Sequence, residues 1–130
     1  MTPKWIRPLF MVAALYDLAL GLVYLFAYPA LYARFGVTLP NHPGYVQLNA
    51  LFVAVMGVGF WMVANAPARN RDLIRLGVLF KAAYSGIVLL YWARGMMPGM
   101  WVIWAAFDLA FLAAFVAALR ALPAERHARG

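Results

Sequence analysis

The sequence predicts an all-α membrane protein, a four-transmembrane-helix bundle that runs up-down-up-down with both termini cytoplasmic. The chain of 130 residues is 67% hydrophobic and only 12% charged, whereas the apolar share of a soluble domain is about a half. The apolar residues gather into four runs of about 20 residues, the length that a helix needs to cross a bilayer. We expect a single membrane domain over residues 1–130, with spans at approximately 9–28, 45–65, 73–93 and 100–122.

The first span follows a short polar start and is expected to end near Pro29. Its apolar run exceeds the core of a signal peptide, which is about 7–15 residues long. The run also carries Asp17, so we expect a retained helix. Proline and glycine punctuate the connection over residues 29–43. Within it, residues 30–35 are expected to form one short interfacial turn.

Side chains with helix-capping ability stand before two of the spans. His42 lies in an NHPG turn and is expected to cap the second span rather than bind a metal. Asn70 is expected to be the N-cap of the third span. All the connections are short enough to return the chain at the membrane surface that it left. Successive spans are therefore expected to run in opposite directions.

Lysine and arginine are distributed unequally between the two sides of this bundle. Two of them, Arg34 and Arg94, fall on one side, and eight fall on the other: Lys4, Arg7, Arg69, Arg71, Arg75, Arg120, Arg126 and Arg129. Cytoplasmic loops carry the excess of these residues. The pattern predicts cytoplasmic termini, and we expect the protein in a bacterial cytoplasmic (inner) membrane.

The composition also bears on several classes of partner and cofactor. The net charge is +7, but the basic residues flank apolar runs, so we expect contact with anionic membrane lipid and no nucleic acid. The chain has no cysteine, which excludes disulfides and thiolate chemistry. Its two histidines and four acidic residues show no metal-ligand spacing. We expect no metal and no cofactor.

Three charged residues lie inside the predicted spans. Asp17 and Lys81 each lie roughly 12 Å from the cytoplasmic edge of the apolar region, at 1.5 Å per residue. Asp108 is measured from the opposite edge and lies roughly 18 Å from the cytoplasmic side of a core about 30 Å thick. These three charges are expected to meet near the midplane, with Tyr84 beside them one turn beyond Lys81.

Two interpretations of these charges remain open at the level of sequence. Pairing Lys81 with one or both aspartates would remove much of the cost of a charge in the bilayer, about 2.5–3.5 kcal/mol each. Such a pair could serve only to fix the order of the helices. It could also form a ligand-binding or proton-linked site, for which the candidates are Asp17, Lys81, Tyr84, Asp108, Asn49 and Gln47.

Small residues recur at helical spacing in the first and fourth spans. The repeats are Ala13, Asp17 and Gly21 in one, and Ala106, Ala110, Ala114 and Ala118 in the other. Small residues allow transmembrane helices to approach closely. If these two faces meet, Asp17 and Asp108 point into the same seam.

Four segments resemble the DoxX-like group of small four-helix membrane proteins. They are YDLALG (16–21), NHPGYVQLNALF (41–52), APARNRDLIRLG (66–77) and FDLAF (107–111). The resemblance implies a four-helix bundle that serves as an accessory partner of oxidoreductases or quinone-linked systems. It implies no catalytic residues, because no catalytic motif of the group is matched.

Three functions follow from these expectations. The first is a binding or accessory module for a lipophilic small molecule, a quinone or a larger membrane complex. The second is a proton- or ion-coupled small transporter, with a homodimer as its expected form. The third is a membrane enzyme that uses Lys81 or the aspartates on a lipid-soluble substrate. No catalytic motif favours the third, so an enzyme is the less expected outcome.

Overall fold

The computed structural model describes residues 2–123 and confirms the all-α architecture with four long helices. Over this part of the chain there is no strand. All four helices are long and apolar enough to cross a membrane. The helices are α1 (Ile6–Phe35), α2 (Pro43–Asn65), α3 (Arg71–Ala93) and α4 (Gly99–Ala121), and a short 3₁₀ turn (Pro67–Asn70) precedes α3.

Helix α1 is longer than the sequence predicts. It passes through Pro29 and ends at Phe35, so residues 30–35 continue the helix after a kink instead of forming a separate turn. The kink lies at Ala27, whose φ of −127° and ψ of 19° are not helical. Proline has no N–H to donate and its ring displaces the carbonyl four residues earlier, which bends the helix without ending it. The end comes at Gly36, which takes the left-handed conformation with φ at 66°.

The predicted cap at His42 is confirmed, whereas Asn70 precedes α3 as predicted but hydrogen-bonds to a different helix. His42 caps α2, since its Nδ1 accepts a hydrogen bond from the Gly44 N–H at 2.9 Å. Asn70 stands directly before α3, but its side chain makes no hydrogen bond to that helix. Its Nδ2 donates instead to the carbonyl oxygens of Met62 and Ala66, each at 3.0 Å. The 3₁₀ turn brings Asn70 back to the end of α2, where it satisfies carbonyl groups that the helix leaves free.

Helices α1 and α2 form a hairpin in which the two backbones touch. A Cβ added to Gly21 would lie 2.7 Å from the Ala50 carbonyl oxygen and 2.8 Å from the Ala54 nitrogen. A Cβ added to Gly57 would lie 2.8 Å from the Leu18 nitrogen. Neither glycine has room for a side chain. The two contacts therefore fix the distance between α1 and α2.

The small-residue faces of α1 and α4, whose meeting the sequence leaves open, do not pack against each other along their length. Gly21 packs on α2, and Ala106 and Ala110 of α4 are exposed. Aromatic side chains fill the contact between α1 and α4 instead, because the ring centroid of Tyr16 lies 5.8 Å from that of Phe107 and 5.3 Å from that of Phe111. Rings of this size hold the two backbones apart, so α4 pairs mainly with α3.

A cluster that we call the phenylalanine core closes one end of the bundle. Its rings come from three helices: the centroid of Phe115 lies 4.6 Å from that of Phe10 and 5.0 Å from that of Phe60. Gly77 of α3 admits the Phe60 ring, which would lie 2.5 Å from a Cβ at that position. The core joins the beginnings of α1 and α3 to the ends of α2 and α4, so successive helices run in opposite directions. Its buried members are Ile6, Phe10, Ala13, Ala14, Phe60, Val63, Ala64, Ile74, Phe115, Ala118 and Leu122.

Arg71 ties α3 to α4 at the same end of the molecule. Its guanidinium donates to the Pro123 carbonyl oxygen at 2.7 Å and to the Leu119 carbonyl oxygen at 3.3 Å. These carbonyls belong to the last turn of α4 and the residues after it, where no helical partner remains. The start of α3 thereby satisfies the end of α4.

Large apolar side chains cover the outside of the bundle. Phe26 is 79% exposed and Leu79 is 66% exposed, and comparable residues occur on α2 and α4. A soluble monomer rarely exposes apolar patches of this extent. An outer surface of this kind is matched to lipid, in agreement with an integral membrane protein.

Candidate functional site

The three intramembrane charges meet, as the sequence predicts. Nζ of Lys81 lies 3.0 Å from each carboxylate oxygen of Asp17 and 2.9 Å from Oδ1 of Asp108. These residues come from α3, α1 and α4 respectively. Asp17 is 1% exposed, Lys81 is fully buried and Asp108 is 6% exposed. We call this group the charged triad.

The hydrogen bonds of the charged triad leave one acceptor free. The lysine ammonium has three N–H donors, and all its hydrogen bonds within residues 2–123 are with Asp17 and Asp108. Oδ2 of Asp108 accepts no hydrogen bond from residues 2–123, and it is not fully buried. Two carboxylates against one ammonium also give the ionised triad a net charge of −1.

Aromatic rings enclose the ammonium on its remaining sides. Nζ of Lys81 lies 5.2 Å from the ring centroid of Phe111, 5.4 Å from that of Tyr16 and 5.6 Å from those of Phe60 and Phe80. Ring faces attract cations at such distances. The rings also exclude water from the lysine, which strengthens its contacts with the carboxylates.

A cavity of about 330 Å³ lies beyond the charged triad, on the side away from the phenylalanine core. The two aspartates line it and so form its floor, while Lys81 is absent from the described lining residues. All four helices contribute to the wall. The lining residues are Asp17, Leu20, Gly21, Tyr24, Asn49, Ala50, Val53, Phe80, Ala83, Tyr84, Ile87, Trp101, Trp104 and Asp108.

The aromatic wall of the cavity is held by its own hydrogen bonds. The Tyr84 hydroxyl donates to the Trp101 carbonyl oxygen at 3.1 Å, which ties α3 to α4. Nε1 of Trp104 donates to the Tyr24 hydroxyl at 2.8 Å, which ties α4 to α1. The rings of Tyr24 and Trp101 stack with centroids 5.5 Å apart. These bonds fix the positions of four large rings around the space.

The cavity reaches the surface between α2 and α3. Asn49 of α2 and Ala83 of α3 both line it and are exposed, and Ile87 is 49% exposed. This opening lies on a lateral face of the bundle that otherwise carries apolar side chains. A molecule dissolved in the bilayer could enter there without passing through water.

A second cavity of about 250 Å³ lies on the α1 side of the wall. It shares Leu20, Tyr24 and Trp104 with the first cavity and is otherwise lined by Tyr16, Ala19, Val23 and Leu31. The hydrogen-bonded pair of Tyr24 and Trp104 thus stands between the two spaces. Movement of these two rings would join them.

The candidate residues from the sequence are distributed unevenly around this site. Asn49 lines the cavity near its opening. Tyr84 also lines the cavity, but its hydroxyl is bonded to the Trp101 carbonyl and makes no hydrogen bond with the triad. Gln47 is exposed and does not line the cavity. Four of the six candidates therefore line the space, Lys81 lies behind its floor, and Gln47 lies outside it.

Sequence reasoning missed most of the wall. Tyr24, Trp101 and Trp104 suit a membrane interface, but Tyr24 is only 6% exposed and all three line the cavity. The spacing of these residues in the sequence does indicate their place in the wall. Trp101, Trp104 and Asp108 are at i, i+3 and i+7, which places them on one face of a helix. Asp17 and Tyr24 are likewise seven residues apart in α1.

The charged triad and its cavity are the candidate site of this protein. Within residues 2–123, no group of three or more histidine, cysteine or acidic side chains could hold a metal ion. No known protein family, curated protein or solved structure matches the chain. The function must therefore be argued from the geometry of the site.

Proposed function

We propose that this protein binds a lipophilic small molecule within the membrane, in the cavity above the charged triad. The observation that carries the proposal is a space of about 330 Å³ with an aromatic wall and a floor of two carboxylates. Small-molecule sites are typically concave and mostly apolar, with a few fixed polar groups and a volume of about 300–1,000 Å³. The lateral opening beside Asn49 suits a ligand that arrives from the bilayer.

A role as an accessory subunit is compatible with ligand binding. The resemblance to the DoxX-like group supports a partner among oxidoreductases or quinone-linked membrane complexes. Mild detergent extraction from native membranes followed by mass spectrometry would identify such a partner. Migration as a free single chain or homodimer would count against the accessory role, while leaving ligand binding to its own test.

The test of ligand binding uses neighbouring alanines of α3. Ala83 lines the cavity, whereas the equally exposed Ala82 does not. Ala83→Phe places a ring in the cavity and should abolish saturable binding of a neutral lipophilic probe, 2-(1-naphthyl)ethanol, measured by calorimetry in lipid nanodiscs. Ala82→Phe adds the same ring toward the outside and should bind the probe as the wild type does.

The proposal fails if the wild-type protein shows no saturable binding beyond that of empty nanodiscs. It also fails if Ala83→Phe binds as well as Ala82→Phe, because the cavity would then not be the site. Native mass spectrometry of the purified protein provides an independent measurement. A lipophile that co-purifies with the wild type should be lost from Ala83→Phe alone.

We further propose that the phenylalanine core faces the cytoplasm of a bacterial cell. Among the described residues, Arg34 and Arg94 lie at the other end, whereas six basic residues lie at the end of the phenylalanine core: Lys4, Arg7, Arg69, Arg71, Arg75 and Arg120. The excess of basic residues on one side supports this orientation. Arg126 and Arg129, which the same sequence prediction counts, lie outside the described residues.

A second candidate function is ion-coupled transport, and one observation favours it. The two cavities are divided only by the shared residues around the Tyr24 and Trp104 pair. Movement of that pair would join the two spaces beside the charged triad, and a path across the membrane would further require the phenylalanine core to open. Flux across liposomes by wild type, Asp17→Asn and Asp108→Asn would test this, because a flux unchanged by both substitutions rules the triad out of coupling.

A further inference from the structure

We propose that the ligand of this cavity is a lipophilic amine, bound in its protonated form with its ammonium group against Asp108. The inference rests on the proposed function and goes beyond it by naming the chemical class of the ligand. It is carried by the unused acceptor on the floor, the charge balance of the triad and the aromatic wall.

The floor of the cavity accepts hydrogen bonds and offers none. The hydrogen bonds of Lys81 go to Asp17 and Asp108, and the lysine does not line the space. Oδ2 of Asp108 accepts no hydrogen bond from residues 2–123 and, unlike the Tyr16 hydroxyl, it is not fully buried. It therefore opens onto the cavity that Asp108 lines, where a ligand that carries a donor can bond to it.

The charges of the site favour a cationic donor over a neutral one. The ionised triad sums to −1, from Asp17, Asp108 and Lys81, and a net charge within the membrane is unfavourable. One ammonium group on the ligand would bring the sum to zero. An anionic ligand would meet carboxylates before it met the lysine, and a carbonyl group at the floor would face only acceptors.

The walls of the cavity are suited to the same class of molecule. Tyr24, Phe80, Tyr84, Trp101 and Trp104 provide ring surface for an apolar body. Aromatic faces also attract a nearby cation, with tryptophan the strongest among them. Since the opening lies on the lateral face between α2 and α3, an amphiphilic amine can enter from the bilayer and place its charged end at the floor.

The experiment compares two probes of nearly the same shape. One is 2-(1-naphthyl)ethylammonium and the other is the neutral 2-(1-naphthyl)ethanol, each titrated into wild-type protein in nanodiscs of zwitterionic lipid. Both probes can donate a hydrogen bond to Asp108, so the difference between their affinities reports the positive charge. We expect this charge to contribute at least about 1.4 kcal/mol, which is tenfold in affinity. The ammonium should therefore bind the wild type at least about tenfold more tightly than the alcohol.

Asp108→Asn is the decisive variant. It keeps the ion pair between Lys81 and Asp17, so its buried charges balance. The variant should lose the preference for the ammonium. Its affinities for the two probes should differ by no more than about threefold, which is comparable to the effect of one neutral hydrogen bond. Binding of the alcohol shows that the variant is folded. If Asp108→Asn cannot be purified, Asp17→Asn removes the same net charge and should lower the preference as well.

The possible results separate this inference from the proposed function. If both probes bind the wild type equally and Ala83→Phe blocks them, the cavity is a ligand site but not an amine site, and the inference is wrong. A preference for the ammonium that survives in both aspartate variants overturns it too. If neither probe binds the wild type saturably, the proposed function and the inference fail together.

Discussion

Lys81 holds three helices together through a single ammonium group. Its contacts with Asp17 and Asp108 join α3 to both α1 and α4 at 2.9–3.0 Å, with all three side chains buried. Buried ion pairs are not in themselves strongly stabilising, because desolvation offsets much of the attraction. Removing one partner alone is strongly unfavourable, since the other charge is then left buried without compensation.

The first prediction concerns the loss of this ammonium. Lys81→Met leaves two buried carboxylates and should lower the free energy of unfolding by about 3–5 kcal/mol. Because one lysine serves two acids, combining it with Asp17→Asn should recover only part of the loss. The triple variant with Asp108→Asn as well should recover most of it. Thermal unfolding in nanodiscs measures the series, with the exposed Lys4→Met as the control for a lost positive charge.

The same triple variant separates a structural from a functional triad. A triad that serves only to order the helices predicts recovered stability with unchanged binding of both naphthyl probes. A ligand site predicts recovered stability with no preference for the ammonium. If the triple variant is no more stable than Lys81→Met, unpaired charge is not the cause of the instability.

Removing the hydroxyl group should change the free energy of unfolding in opposite directions at two tyrosines near the triad, Tyr16 and Tyr84. The Tyr16 hydroxyl is buried and has no hydrogen-bond partner in the described chain, whereas that of Tyr84 donates to the Trp101 carbonyl. Tyr16→Phe should raise the free energy of unfolding by about 1 kcal/mol, and Tyr84→Phe should lower it by about 0.5–1.5 kcal/mol. Equal shifts in the unfolding temperature of the two variants would contradict this assignment.

At the residue scale, the sequence predicted the charges better than their surroundings. Asp17, Lys81 and Asp108 could be placed because a charge in an apolar helix must find a partner, and depth follows from residue count. The aromatic wall could not be placed in this way. Tryptophan and tyrosine are equally at home at the membrane interface, so composition does not distinguish Trp101 and Trp104 from interface anchors.

At the scale of the helices, glycine contacts set the geometry of the α1–α2 hairpin. Gly21 and Gly57 each lie against the backbone of the opposite helix. The sequence contains both residues, but their partners depend on which faces meet. The small residues of α4 suggested a contact with α1, and the rings of Tyr16, Phe107 and Phe111 prevent it.

The prediction at this scale uses two glycines of α2. Gly57→Ala must separate α1 from α2, because the new Cβ would lie 2.8 Å from the Leu18 backbone nitrogen. We expect a loss of about 1–3 kcal/mol from this overpacking. Gly59→Ala meets no atom within 4 Å and should be neutral or stabilise by about 0.4–1 kcal/mol, as alanine favours the helix. Unfolding of both variants in nanodiscs tests the pair, and equal stability would contradict the close contact.

The ends of the helices were harder to predict than their existence. The apolar runs predict all four helices, but Pro29, where the sequence predicts the end of the first span, lies just after a kink inside α1. Proline permits either outcome, since neighbouring groups in a membrane bundle can satisfy the freed carbonyl. The residue type at Asn70 likewise permits two outcomes. It suits a cap of α3, but the side chain donates to carbonyl oxygens at the end of α2.

At the scale of the whole molecule, the alternation of the four helices follows from their short connections. Orientation in the membrane rests on the unequal distribution of lysine and arginine. We predict that a cysteine introduced at Thr38, in the loop between α1 and α2, reacts with a membrane-impermeant maleimide in intact cells. A cysteine at the exposed Arg69, in the 3₁₀ turn between α2 and α3, should react only after the cells are opened. The reverse pattern would invert the topology.

The division into two hairpins has a consequence for how the chain is made. Lys81 and Asp108 lie in α3 and α4, so the second hairpin carries its own neutral ion pair. Asp17 lies in the first hairpin, 64 residues before Lys81, so it leaves the ribosome before Lys81 has been synthesised. During biogenesis the carboxyl group of Asp17 therefore has no counter-ion in the translocon or the bilayer until α3 is inserted. Docking of the second hairpin then pairs Asp17 with Lys81. A nascent chain that stalls before α3 should therefore be the form most susceptible to quality-control proteases.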